Sequence, residues 1–228
     1  MNREELAAYI DQTLLDPTVG FARGAAWIEE NAQRGFASLC VSPFLTPLAA
    51  ELLAGTGTKV CSVVSFPLGY ANTESKVEEA VHLVELGCVE VDMVMNVAAF
   101  LEGEHRFVHD DIAAVVHGVT WASGERAIVK VILETGRLRG IDDVTAACHL
   151  ATEAGAAFVK TSTGFGPRGA SVEDVLAMRA AVGPDLGVKA AGGIRTLSDA
   201  LAMIEAGATR IGASSGRAIL DALAGSED

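Results

Sequence analysis

Lysine is scarce in this chain, with five in 228 residues, and Lys plus Arg total 17 against 30 Asp plus Glu, a formal net charge of −13. That balance offers no field for nucleic acid or an anionic membrane surface, so neither is expected as a partner. A small anionic ligand is not excluded, because a local cup of backbone N–H groups can hold one. Long apolar runs are missing too: no stretch approaches the ~20 residues of a spanning helix. The opening "MNREELAAYI" has acidic residues where a secretory signal has a basic region and an apolar run. Cysteine is sparse, and Cys40, Cys61, Cys88 and Cys148 are far apart with no C-x-x-C, which reads as free thiols in a reducing cytoplasm. No Pro/Gly/Ser-rich linker breaks the chain, so one domain over 1–228 is expected.

What the sequence has is alternation. Half of its residues are hydrophobic, enough for a sizeable core. Short β-prone runs fall at 8–15, 37–42, 59–66, 88–96, 127–135, 157–163, 187–192 and 209–215. Between them lie stretches such as "TESKVEEAVHLVELG" and "TLSDALAMIEAG", with helical spacing and a closing glycine. Strand–helix alternation implies a parallel sheet under helices. Eight repeats in this length fit an α/β fold of one kind, a single (β/α)8 TIM barrel, typically ~250 residues. A weak echo among "VELGCVEVDMVMN", "TEAGAAFVKTSTG" and "IEAGATRIGASSG" agrees with repeated half-units.

Three of the five lysines break apolar strand patterns: Lys130 in "AIVKVILETG", Lys160 in "AAFVKTSTGFG" and Lys189 in "LGVKAAGGIR". Lysine is rarely buried unless paired or used. Period two puts Glu90, Asp92 and Asn96 on one face of their strand, and Lys130 with Glu134 on one face of the next. If those faces turn inward, the lumen holds Lys130, Lys160 and Lys189 with Glu90, Asp92 and Glu134, an ion network that partly offsets the cost of burying each charge. Lys160 and Lys189 fall on neighbouring strands, ~4.8 Å apart in the pairing direction. Two ammonium groups that close are expected to push one toward neutrality, and a neutral amine can attack a carbonyl to form a Schiff base. Position alone does not decide which lysine is the nucleophile.

The loops after the last strands have the composition of a phosphate cup. "AAGGIRT" and "GASSG" lie where barrels hold phosphate on backbone N–H groups. Gly192 and Gly193 allow close approach, Ser214 and Ser215 add hydroxyls, and Arg195 can pair with phosphate or with a carboxylate. Other signals are weaker. "GFGPRG" (164–169) fits G-x-G-x-x-G and precedes a helix that "SVED" would cap, but Pro167 and its late position argue against a dinucleotide. His105 and His109 in "HRFVHDD" have helical metal spacing, yet no strand-end ligands converge on them. Cys40, without a neighbouring histidine, reads as packing rather than nucleophile.

These stretches, with "YIDQTLL", "CVSP", "SFPLGYANTESKVEEA", "VDMVMN" and "RIGASSG", resemble the deoxyribose-phosphate aldolase family of class I, Schiff-base aldolases, from about residue 9 to 220. The resemblance implies that Lys160 forms the Schiff base, Lys189 is its proton-relay partner and Asp92 is the proton donor and acceptor. It implies phosphate contacts at Gly164, Gly192, Gly193, Ser214 and Ser215, with Arg195 beside them, and a pocket lined by Asp11, Thr13, Cys40 and Lys130. The implied reaction is reversible cleavage of 2-deoxy-D-ribose 5-phosphate to acetaldehyde and D-glyceraldehyde 3-phosphate, in cytoplasmic deoxyribose phosphate catabolism. No cofactor and no metal are expected, and barrels of this kind often pair, so a homo-oligomer (dimer or tetramer) is expected. Gln12 and Asp16 stand where relatives often have histidine and lysine, and the ending "LAGSED" lacks the tyrosine that helps proton transfer in some members. A pyridoxal-phosphate enzyme, a sugar-phosphate isomerase and a non-catalytic sugar-phosphate sensor are the rival readings of the same scaffold.

Overall fold

In the computed structural model, which describes residues 1–224, eight parallel strands pair in chain order and close into a barrel. They are β1 (Ile10–Leu14), β2 (Ser38–Val41), β3 (Lys59–Val64), β4 (Glu90–Val94), β5 (Ile128–Ile132), β6 (Phe158–Lys160), β7 (Gly187–Ala191) and β8 (Arg210–Ala213). Helices α1 (Arg3–Ala7), α2 (Phe21–Asn31), α3 (Thr46–Leu52), α4 (Thr73–Glu85), α5 (Val97–Leu101), α6 (His105–Ser123), α7 (Ile141–Glu153), α8 (Val172–Val182), α9 (Leu197–Glu205) and α10 (Gly216–Ala224) precede, connect and follow them. The expectation about a C-terminal tyrosine concerns residues outside the described range. Among the described residues no helix is long and apolar enough to cross a membrane.

Each strand alternates between two environments. Val91, Met93, Val129, Val131, Val159, Val188 and Ile211 pack with the helices in the main core. The alternate residues turn to the lumen, where Cys40, Cys61 and Val63 form a separate apolar cluster and most of the rest is charged. The helices are seated by local signals that the sequence carries: Asn72 caps α4 by accepting from Ser75 N, Ser171 caps α8 from "SVED", and Thr196 with Asp199 forms a reciprocal box on α9. The three echoes share one geometry. Past Gly87, Gly155 and Gly207, all with positive φ, the N–H groups of Cys88, Ala156 and Ala208 return to the carbonyls of Leu83, Ala151 and Met203 over 2.9–3.0 Å. This is the Schellman ending, and it aims the chain back into the next strand.

The strands are shorter than the sequence pattern suggests. Asn96 does not continue the inward face of β4 but accepts from Ala99 N and caps α5. β5 stops at Ile132, and Glu134 turns left-handed at φ 54°, which removes it from the lumen. Backbone bonds continue a residue or more past these ends, from Met95 N to the Ile132 carbonyl and from Leu133 N to the Lys160 carbonyl, before the chain turns away.

Candidate active site

The lumen is filled by an ion network. Lys160 ends β6, opposite Lys189 on β7, and both amines donate to Asp92 Oδ2, over 2.8 and 2.7 Å. Lys189 also lies 2.6 Å from Asp11 Oδ2, a charge contact rather than a well-aligned hydrogen bond. Lys130 reaches Asp92 Oδ1 and Glu90 Oε2, each at 2.8 Å, and Asp11 Oδ2 at 3.6 Å. Below them Arg210 joins Asp11 Oδ1 (2.6 Å) to Glu90 Oε2 (2.9 Å) and lies over the Phe158 ring. Lys59 closes the far end on Glu90 Oε1 at 2.9 Å. All but Lys59 are buried.

Electrostatics follow from these contacts. Burial pushes the Asp92 carboxyl up, but Lys130, then Lys160 and Lys189, outweigh it and hold it well below the usual carboxylate range. Asp11 is held down in the same way, against burial, by Lys189, Lys130 and Arg210. The expectation that crowding pushes one lysine toward neutrality fails for Lys189: burial pulls its amine down, but Asp11 and Asp92 together hold it above the ordinary lysine range. Lys130 is raised likewise, burial being outweighed by Asp92 first. Close carboxylates therefore decide the charge of these two amines, and a neighbouring ammonium does not.

The second correction concerns Glu134, which is not part of the network. Arg210 and Asp11 supply the contacts that the expected set lacked. Arg210 carried the same signal as the lysines, a cation two residues before Gly212 in a β-prone run, and was missed. Gln12 also has a definite place: its Oε1 accepts from Gly216 N at 2.9 Å and its Nε2 reaches the Ser214 carbonyl at 3.4 Å, tying β1 to the turn before α10.

Above the network, at the C-terminal ends of β1, β6, β7 and β8, opens a cavity of about 490 Å³. Lys160 lines it with Thr13, Asp16, Thr163, Gly164, Gly192, Gly193, Arg195 and Ser214. Among the described residues, the N–H groups of Gly164, Gly193 and Ser214 have no intramolecular acceptor, and they belong to the loops around the cavity. Ser215 is not in the lining, and its carbonyl accepts from Ile219 N in the first turn of α10. Asp11, Cys40 and Lys130, expected as lining, lie fully buried beneath and are not among the lining residues. Asp92 and Lys189 also lie beneath, so Lys160 is the one amine of the network that reaches the cavity.

Two cysteine-containing groups have a metal-like arrangement, Cys40–Cys61–Asp92 and Asp11–Cys61–Glu90. Lys130 Nζ sits between them, 3.4 Å from Cys61 Sγ and 2.8 Å from Asp92 Oδ1, where its ammonium supplies the charge a cation would. The "GFGPRG" stretch forms no open nucleotide loop: Gly166 packs on Glu134, and Arg168 pairs with Asp174. His109 lies against Asp110 on the outer surface of α6, away from the network.

Comparison with known proteins agrees with the closed barrel. A family model described as DeoC/LacD family aldolase matches residues 6–222. A deoxyribose-phosphate aldolase of Caldanaerobacter subterraneus subsp. tengcongensis is 50% identical over 216 residues, 95% of this chain and 92% of that protein. Among solved structures, "QR15, an Aldolase" superposes with a TM-score of 0.90 at 36% identity, covering 97% of both chains. A tetrameric deoxyribose phosphate aldolase from Aeropyrum pernix superposes with a TM-score of 0.88 at 33% identity, covering 98% of this chain and 92% of that one. By its sequence, its closed barrel and the lysine that its network presents to the cavity, the chain belongs to the DeoC/LacD family of aldolases.

Proposed function

We propose that this aldolase reversibly cleaves 2-deoxy-D-ribose 5-phosphate to acetaldehyde and D-glyceraldehyde 3-phosphate through a Schiff base on Lys160. The observation that carries the reading is that Lys160 alone of the buried amines lines the cavity while remaining bonded to Asp92. Release of its proton breaks one ion pair, whereas Lys189 makes two and Lys130 three. Lys160 is therefore the amine best placed to meet a substrate carbonyl as nucleophile.

Attack of the Lys160 amine on C1 of the open-chain sugar, with loss of water, gives an iminium ion. That cation takes the electron pair of the C2–C3 bond once the C3 hydroxyl loses its proton, and D-glyceraldehyde 3-phosphate leaves. The enamine then takes a proton at C2, and hydrolysis releases acetaldehyde and the free amine. Asp92, bonded to both Lys160 and Lys189, is positioned to pass protons between the amines and the reacting centre. The iminium is the electron sink, so the step as written uses no metal. The phosphate would rest on the N–H groups of Gly164, Gly193 and Ser214, with Arg195 at the rim. This reading also assigns the chain to deoxyribose phosphate breakdown in the cytoplasm, as a homo-oligomer.

The test is to incubate the protein with acetaldehyde, add borohydride and map the modified peptide by mass spectrometry. A reduced two-carbon adduct on Lys160 is expected. An adduct on Lys189 instead would exchange the two lysine roles, and no adduct on a folded protein would remove the Schiff-base mechanism.

A further inference from the structure

Glu134 is a buried carboxylate that the mechanism above does not use. The residue is 2% exposed, and among the described residues it belongs to no ion pair. Its backbone is left-handed, φ 54° and ψ 57°, a conformation disfavoured for any residue with a Cβ. A charged group held in a strained turn without a counter-charge must be satisfied by directed hydrogen bonds.

Those bonds all come from the loop after β6. The Thr163 hydroxyl donates to Glu134 Oε2, and Thr163 N lies 3.4 Å from each carboxylate oxygen. Gly166 packs so closely on the carboxylate that an added Cβ would fall 2.7 Å from Oε1. A carboxylate only accepts, so the Thr163 hydrogen is committed to Glu134 and a lone pair of Oγ1 is left for Phe165 N, which donates to it at 3.0 Å. The order Phe165 N–H to Thr163 O–H to Glu134 thereby fixes the turn Thr163–Phe165 with Gly164 at its apex. All three residues line the cavity. Lys160 has a separate anchor, Asp92.

We propose that Glu134 is a positioning residue: acting through Thr163, it sets the turn whose Gly164 N–H receives the phosphate end of the substrate. The inference rests on the phosphate reading of the cavity given under Proposed function. Because Asp92 anchors the nucleophile independently, loosening the turn should weaken use of the phosphate more than it weakens carbon–carbon cleavage.

The test compares kcat and KM for 2-deoxyribose 5-phosphate and for unphosphorylated 2-deoxyribose in the wild type, E134A, E134Q and T163V. The ratio of kcat/KM values, phosphorylated to unphosphorylated, should fall about 10- to 100-fold in E134A, mainly through KM, as expected for a displaced binding group. E134Q keeps a carbonyl acceptor for Thr163 and should recover part of that loss. T163V, which keeps the side-chain shape but cuts the chain of bonds, should match E134A, and it carries the test should E134A fail to fold. Borohydride trapping on Lys160 should persist in each. A wild-type preference for the phosphorylated sugar that the variants leave intact would overturn the role of Glu134 alone. Equal losses on both substrates would reduce Glu134 to a structural prop. A wild type indifferent to phosphate would remove the phosphate reading, and this inference with it.

Discussion

Lys160 and Lys189, register partners on neighbouring strands, share a single acceptor atom, Asp92 Oδ2, at 2.8 and 2.7 Å. One oxygen thus fixes both the amine that reaches the cavity and the amine beneath it, and any proton leaving one is felt by the other. Burial makes the arrangement sensitive, since a charge left without its partner there has no water to turn to.

Asp92→Asn tests that coupling. The amide is the same size but carries no charge, so Lys160 loses the one ion pair it makes among the described residues while Lys189 keeps Asp11 and Lys130 keeps Glu90. Turnover should drop about 10²- to 10⁴-fold, the usual weight of a positioned proton-transfer group. Urea unfolding should show a loss of about 3–5 kcal/mol, as for a broken buried pair. Steady-state kinetics within tenfold of wild type would rule out Asp92 as the shared hub.

The dependence of stability on pH should be a broad plateau with two edges. Asp11, Glu90 and Asp92 have folded pKa values below their unfolded ones of about 3.9–4.3, so their contribution is complete above that range and lost as pH falls below it. Lys130 and Lys189 are raised above an unfolded value of about 10.4, so theirs is complete below it and lost as pH climbs past it. Urea midpoints measured from pH 3 to 11 should be flat between about 5 and 10 as far as these five groups are concerned. A steep decline between pH 5 and 7 would show that other groups govern stability.

Lys76 and Asp111 form a second buried ion pair, at 2.6 Å between α4 and α6, with Lys76 also reaching the Val94 carbonyl at 3.2 Å and Thr73 bonded to Asp111 at 2.8 Å. It lies outside the barrel and off the cavity. Asp111→Ala should cost about 3–5 kcal/mol by leaving a buried ammonium unpaired, while the double change Lys76→Met with Asp111→Leu should recover most of that. Turnover of the folded fraction should stay near wild type. A double variant no more stable than the single one would show that the pair contributes more than apolar packing can replace.

Gly169 and Gly193 look alike in sequence but should respond differently to alanine. A Cβ on Gly169 would fall 2.0 Å from the Gly192 carbonyl oxygen, so the two loops at the cavity must part, with a loss of about 1–3 kcal/mol from overpacking and weaker binding of phosphorylated ligand. A Cβ on Gly193 meets nothing within 4 Å, leaving only the left-handed backbone at φ 81° to oppose it, about 1–2 kcal/mol. Inorganic phosphate titrations alongside thermal melts separate the two. Unchanged phosphate affinity in Gly169→Ala would mean that the loops can part without disturbing the cup.

The sequence by itself determined the eight-fold alternation, the helix cap at Ser171, and the placing of Lys130, Lys160, Lys189, Glu90 and Asp92 on matching strand faces. These are local properties: period two and capping chemistry act over a few residues, so they can be read from a few residues. Which face turned inward, and which charge met which, only the tertiary structure decided. Barrel closure brings Arg210 to Asp11 across 199 positions, and it sets Lys160 at the rim while its register partner Lys189 lies buried below. Glu134 continued the pattern of its strand on paper, but a left-handed turn carried it to Thr163 instead. Periodicity gives a residue's face but neither the strand's end nor its stagger, and those are fixed by neighbours that lie far away in the chain.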